Sequence, residues 1–312
     1  MFGLSQPQLQ LLYDGARKWF TIICVTTGPA VFVVDAPFGR FAPSENSIFL
    51  LDGIKSWIIM ELVSPAMFIY AFLNAPLGSR SLHLASPQSL LVGAYLIHYL
   101  NRALLSPLRT PSRSKSHIIV PLSAVAFNTV NGSLLGAFLS SPAAPSPAAY
   151  SRPTFWVGMA LWALGFAGNI VHDEILLNIR RNAKSKGKAK DAAPGEHYAI
   201  PHGLLYRYIS YPNYFCEWVE WLGFALAADP RPMHYLASGG LSLAKVVSKD
   251  TWATMLFGPS AGFLPLLSPP WLFFVVEVVL MFPRAYRGHL WYKNKFGESY
   301  PMERKIVVPF LL

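Results

Sequence analysis

Cysteine is scarce: the 312 residues hold two, Cys24 and Cys216, each set in an apolar stretch. That excludes a disulfide framework and leaves no zinc-ligand spacing. Charge is scarce as well, at 13% of residues against 53% hydrophobic and 14% aromatic, and a soluble domain of this length needs far more. No G-x-G-x-x-G occurs, so a Rossmann nucleotide domain is excluded. Alternating ten-residue strands, the mark of an outer-membrane barrel, are missing. The start, "MFGLSQPQLQLLYDGARKWF", lacks a basic n-region and a small-residue cleavage site after an apolar core, so no cleaved signal is read. Acidic residues are outnumbered 16 to 26 by Lys and Arg. The basic residues sit in short segments between apolar runs, which fits positive-inside loops better than a nucleic-acid surface.

What is present is a series of apolar stretches, near 18–35, 54–74, 88–106, 117–140, 154–178, 214–229 and 270–287. They predict an all-α polytopic membrane protein, a seven-transmembrane-helix bundle forming a single membrane domain. Several are short for a span of about 20 residues, so polar helix ends or protein-lined cavities must complete them. Seven spans put the loops 108–117 and 180–197 and the C-terminal tail on one side. These are the richest basic segments, and the positive-inside rule makes that side cytosolic. Arg17 and Lys18, ahead of the first span, run against this orientation. Residues 229–270 contain an apolar part broken by Gly and Pro, which reads as a re-entrant piece, an interfacial piece or an extra span. The run "KSKGKAK" reads as a solvated loop that also meets anionic lipid.

Ionisable residues inside membrane spans cost several kcal/mol each, so they are paired or functional. Here nearly every span carries some. Glu61 lies in "WIIMELVSP"; His98, Tyr99, Asn101 and Arg102 in "LIHYLNRALL"; Asn128 and Asn131 in "FNTVNGSLLG". Asn169, Asp173 and Arg180 fall on one helical face, as do Asn213, Glu217 and Glu220 at i, i+4 and i+7. The last span holds Glu277 and runs into Arg284, His289 and Tyr292. Ordinary roles exist for each: packing histidines at 98 and 172, interhelical amides at 128 and 131, a helix-end ion pair for Asp173 and Arg180, a structural brace for Glu220. A lone Glu61 in mid-span is harder to account for, since such a carboxyl needs a partner or must stay protonated. Polar groups from six spans exceed what helix packing needs, and a shared polar cavity, in an enzyme or a transporter, is expected. Arginines combined with amides and carboxylates suit the phosphates, ribose and amide of a nicotinamide nucleotide.

Three long segments, "NIVHDEILLNIRR", "YAIPHGLLYRYISYPNYFCEWVEWLGFALA" and "RAYRGHLWYKNKFGESYPMERKIVVPFLL", resemble the steroid 5α-reductase family nearly end to end. The N-terminal half resembles it more thinly, through "MELVSP", "IHYLNR" and "FNTVNGSLLG". The ending "EWLGFA" is nearer the steroid branch than the polyprenol reductases.

The resemblance implies a seven-helix bundle in the endoplasmic reticulum membrane, with substrate-side helices in 1–140 and an NADPH site in 154–312. It implies NADPH-dependent reduction of the 4,5 double bond of a 3-oxo-steroid or related terpenoid enone, a hydrophobic small molecule, without a metal. Arg102, Arg113, Asn169, Asp173, Arg180, Tyr198, Asn213, Glu217, Arg284, His289 and Tyr292 match the cofactor-contacting positions. Glu61 and Tyr99 match the pair that holds the substrate ketone, where a neutral acid or phenol stabilises the negative charge that reduction places on oxygen. Two departures stand out: Met60 replaces the Gln usual before that Glu, and the paired histidines of the last helix read Gly288–His289. Rival readings are a polyprenol or trans-enoyl thioester reductase, and a lipid-binding or transport protein that kept the fold without the chemistry.

Overall fold

The computed structural model describes residues 3–34, 37–41, 47–78, 84–185, 198–240 and 248–312. Most of the cytosolic loop expected at 180–197 lies outside them. Helix α1 (Gln6–Val31) opens on a capping box, in which Ser5 N–H donates to Gln8 Oε1 at 2.8 Å. It thus begins well before the apolar stretch at 18. Helix α2 (Gly53–Asn74) is capped by Asp52, whose carboxylate accepts from the amides of Ile54 and Lys55. Helix α3 (Pro87–Tyr99) is capped by Ser86 and continues through a π-helical turn, Leu100–Leu105, into the short α4 (Ser106–Arg109). Pro107 explains the wider turn. It has no N–H to give, and its ring would strike the carbonyl four residues back. The Ser106 amide accordingly reaches Asn101, five residues back.

Helices α5 (Ile119–Ser140), α6 (Pro153–Ser185), α7 (Pro212–Ala228) and α10 (Pro269–Phe296) complete the long elements. Leu50–Leu51 and Ser116–His117 pair antiparallel as a short ribbon joining the loops ahead of α2 and α5. Helix α6 packs along α7 and α2 along α5, while α10 touches α1, α5 and α7. At Gly165 a Cβ would collide with the backbone of α7 at Glu220, so only glycine lets α6 and α7 come this close. The shared core is aromatic: Trp221 meets Tyr95, Phe224 and Phe273, with ring centroids 4.5 Å apart in the last pair.

Helices α2, α5 and α6 are long and apolar enough to cross a bilayer. Their outward faces carry bare apolar side chains, such as Leu73 and Leu164, 76% and 70% exposed. Together with the helical architecture this makes a helical membrane protein. The 229–270 segment, within its described residues, forms two short helices, α8 (Arg231–Ala237) and α9 (Lys249–Phe257), and turns, with no further long helix. Arg17 and Lys18 find their explanation here. The Arg17 guanidinium donates to the carbonyls of Phe263, Leu264 and Leu267, and the Lys18 ammonium to those of Leu256 and Gly258. Both are buried and hydrogen-bonded, so they clamp this segment onto α1 instead of acting as loop charges.

Candidate functional site

The polar residues of α2, the π-turn, α6 and α7 converge in one buried network. Pro212 occupies the first turn of α7, where its missing N–H has no helical partner to lose, and so fixes where Asn213 and Glu217 begin. Asn213 Nδ2 donates to Asp173 Oδ1 at 3.0 Å across to α6. Asn169 Nδ2 donates to Glu217 Oε2 at 3.3 Å and to the Asn213 carbonyl at 3.1 Å. Arg102, placed by the π-turn, is the hinge of the network. Its Nη1 lies 3.2 Å from Glu217 and its Nε 3.5 Å from Glu61 of α2. Arg102 is thus the partner that a carboxyl at Glu61 in mid-span needs.

Trp57 is the residue sequence reasoning missed. Its ring lies under the Arg113 guanidinium at 3.7 Å and the Arg102 guanidinium at 5.1 Å, and its indole N–H donates to the Arg102 carbonyl at 3.2 Å. An aromatic near a helix start in a Trp-rich chain gives no signal by itself. Glu277 of α10 is absent from the positions the resemblance carries, yet it lies within electrostatic reach of Glu61, Arg102, Glu217 and Glu220. An acid in the run "FFVVEVVL" is the available clue.

Tyr99 is buried beside this network, its ring 4.8 Å from that of Tyr95, whose hydroxyl bonds Ser64 at 2.7 Å. His98, its neighbour, meets Glu220 at 2.7 Å, so Glu220 ties α7 to α3. Asn128 also has a packing role, donating from α5 to the Met60 carbonyl at 2.8 Å. Arg180 is half-buried two turns beyond Asp173 on α6 and interacts with it electrostatically.

The remaining sequence candidates form separate groups. His289 Nδ1 and the Ser210 hydroxyl are 2.5 Å apart, and Ser210 also meets the Tyr300 hydroxyl at 2.6 Å. Tyr292 stacks on Tyr300 at 5.5 Å. Burial pushes the Tyr300 phenol above its ordinary pKa, against the weaker opposing effects of its Ser210 hydrogen bond and of Arg304. Arg284 lies over Phe38 at 3.7 Å, and Tyr198 packs against Trp291 at 4.9 Å. Gly288 has a local reason. A Cβ there would run into the Tyr211 hydroxyl, so Tyr211 fills the space a histidine would need. Among the described residues no cluster of three or more His, Cys, Asp or Glu has metal-binding geometry.

A family model for 3-oxo-5-alpha-steroid 4-dehydrogenase matches residues 114–238 and 263–312. A 3-oxo-5-alpha-steroid 4-dehydrogenase 1 of Bos taurus is 33% identical over 90% of this chain and 89% of its own length. A steroid 5-alpha-reductase DET2 of Solanum lycopersicum is 29% identical over 88% of each chain. An uncharacterized protein of Schizosaccharomyces pombe is 35% identical over 97% of this chain and the whole of its own. The matched residues include the α6 and α7 network and the His289–Ser210–Tyr300 group, and the chain belongs to the 3-oxo-5-alpha-steroid 4-dehydrogenase, or steroid 5α-reductase, family.

Proposed function

We propose that this protein is an NADPH-dependent reductase of the carbon–carbon double bond conjugated to a ketone, acting on a 3-oxo-steroid or related terpenoid enone. The observation that carries the reading is Arg102, which bridges Glu61 on the substrate side and Glu217 on the nucleotide side through one guanidinium. The donor set fits a dinucleotide: guanidiniums for phosphate at Arg102, Arg113 and Arg180, amides and carboxylates for ribose and carboxamide at Asn169, Asp173, Asn213 and Glu217. Arg284, His289, Tyr292 and Tyr198 extend that set along α10 and the segment before α7.

When bound, NADPH supplies a hydride for the β-carbon of the enone. The Tyr99 hydroxyl donates to the ketone oxygen as negative charge develops there, joined by the Glu61 carboxyl where that carries its proton. The resulting enolate takes a proton from water at the α-carbon to give the saturated ketone. A phenol donates in either state of the neighbouring carboxyl. Arg102 sets the local field and keeps Glu61 and Glu217 in place. The closely packed aromatic core around Trp221 excludes water from this end of the bundle. We place the enzyme in the endoplasmic reticulum membrane with seven spans, taking α1, α3 with its π-turn, α7 and α10 as the four that join α2, α5 and α6.

Incubating the purified protein with NADPH and a lipid extract tests the activity. A product heavier by two hydrogens than an enone in the extract is expected; consumption of no enone would overturn the reading. Asn213→Ala should weaken NADPH binding by roughly ten-fold or more, since a hydrogen bond to a charged group contributes about 1.5–3 kcal/mol. Unchanged affinity in that variant would remove Asn213 from the cofactor site.

A further inference from the structure

The C-terminal tail folds back on the segment that precedes α7. Ile209 and Lys305 form a parallel bridge, the Ser210 amide donates to the Lys305 carbonyl at 2.9 Å, and the Lys305 amide donates to that of Tyr208 at 2.8 Å. Between these two strands of chain lies a cavity of about 590 Å³. Its walls are His202 and Arg207 on one side and Glu303 on the other, all exposed, and Arg304 forms its floor.

Arg304 is 3% exposed. One of its terminal nitrogens donates to the Pro201 carbonyl at 3.0 Å and lies 3.5 Å from His202 Nδ1, and its guanidinium rests over the Tyr300 ring at 5.3 Å. Among the described residues its Nε and other terminal nitrogen have no hydrogen-bond partner. A buried guanidinium with two nitrogens that lack a hydrogen-bond partner is costly unless an anion compensates it. No acid among the described residues pairs with it; the charges lining the cavity are Arg304, Arg207 and Glu303, with His202 as a further donor. The surround is amphiphilic. Leu204 in the cavity wall is 60% exposed, and Phe310, 77% exposed, packs at 5.1 Å on Tyr208, which also lines the cavity; Met302 and Leu311, their neighbours along the tail, are 65% and 71% exposed. Bare apolar side chains beside a basic pocket match the headgroup level of a bilayer.

We propose that this cavity binds a phosphate group, carried by an anionic phospholipid whose acyl chains lie against the exposed apolar residues. Arg207 and Arg304 hold the phosphate oxygens, and Tyr300 separates this site from His289 and Tyr292. The proposal does not depend on the reductase reading. The full-length protein in detergent is titrated with phosphatidylcholine vesicles with and without phosphatidic acid, with inorganic phosphate, and with NADPH, following binding and thermal stabilisation. Stabilisation by phosphatidic acid alone is expected, and Arg207→Gln should weaken it about ten-fold through loss of a charge-assisted contact. Arg304→Gln should abolish it; because burial puts that variant's folding at risk, the exposed Arg207 carries the test. Equal binding of inorganic phosphate, still lost in Arg207→Gln, would keep the phosphate site and overturn the lipid as its source. Phosphatidic acid binding that survives in Arg207→Gln, or that NADPH displaces, would overturn the site.

Discussion

Arg102 holds two carboxylates from different helices, and its position is itself held by Trp57. A guanidinium over an indole face gains about 0.5–2 kcal/mol, more as water is excluded. Trp57→Leu should therefore weaken NADPH affinity by roughly 2- to 30-fold while leaving the protein folded, as read by a cofactor titration beside a melting curve. Unaltered affinity would mean that the Trp57 platform does not position the phosphate-side arginines. At the scale of residues, much of the network is legible in the sequence. Asn169, Asp173, Asn213 and Glu217 are polar residues at helical spacing inside apolar runs, and such residues must find one another. Trp57 is not legible, because its role lies in what stands above it. Arg17 and Lys18 mislead a charge count for the same reason: their carbonyl partners are some 240 residues away in sequence.

Among the elements, the π-turn and the last helix show how local chemistry decides what a site presents. Pro107 marks a break in α3, yet sequence periodicity alone does not say that the chain answers with a wider turn that carries Arg102. On α10, Gly288 stands where Tyr211 fills the neighbouring space. Restoring a histidine, Gly288→His, should overpack this contact and lower stability by about 1–3 kcal/mol. The double variant Gly288→His with Tyr211→Ala should recover part of that loss, because the two changes share one volume. Melting curves of the two variants and of Tyr211→Ala alone decide it; additive losses would show that Tyr211 does not account for the glycine. The boundaries of α1 and α10 extend past their apolar stretches. Their polar ends are helical because a capping box starts one and lysines close the other.

For the whole molecule, the apolar composition points to a helical membrane protein, and α2, α5 and α6 have the length and apolarity to span. Helices α3 and α7, at 13 and 17 residues, are shorter, and α1 and α10 carry charged residues, among them Arg17 and Lys18 on one and Arg284 and Arg287 on the other, that lower their hydropathy. The seven-span proposal places the 180–197 loop and the C-terminal tail on the same, cytosolic, side. Protease added to sealed microsomes should cleave both; cleavage of one and protection of the other would refute the span count. In the proposed reaction Glu61 and Tyr99 act on the ketone, not on the cofactor. The most direct measurement of this is the rate of single-turnover reduction of a 3-oxo-4-ene steroid, or of the enone found in the extract, by Glu61→Ala, Glu61→Gln and Tyr99→Phe loaded with NADPH. Reduction slowed by roughly 10²–10⁴-fold, with NADPH affinity within a few-fold of the unmodified protein, is the predicted result. Reduction at the unmodified rate in all three would contradict it.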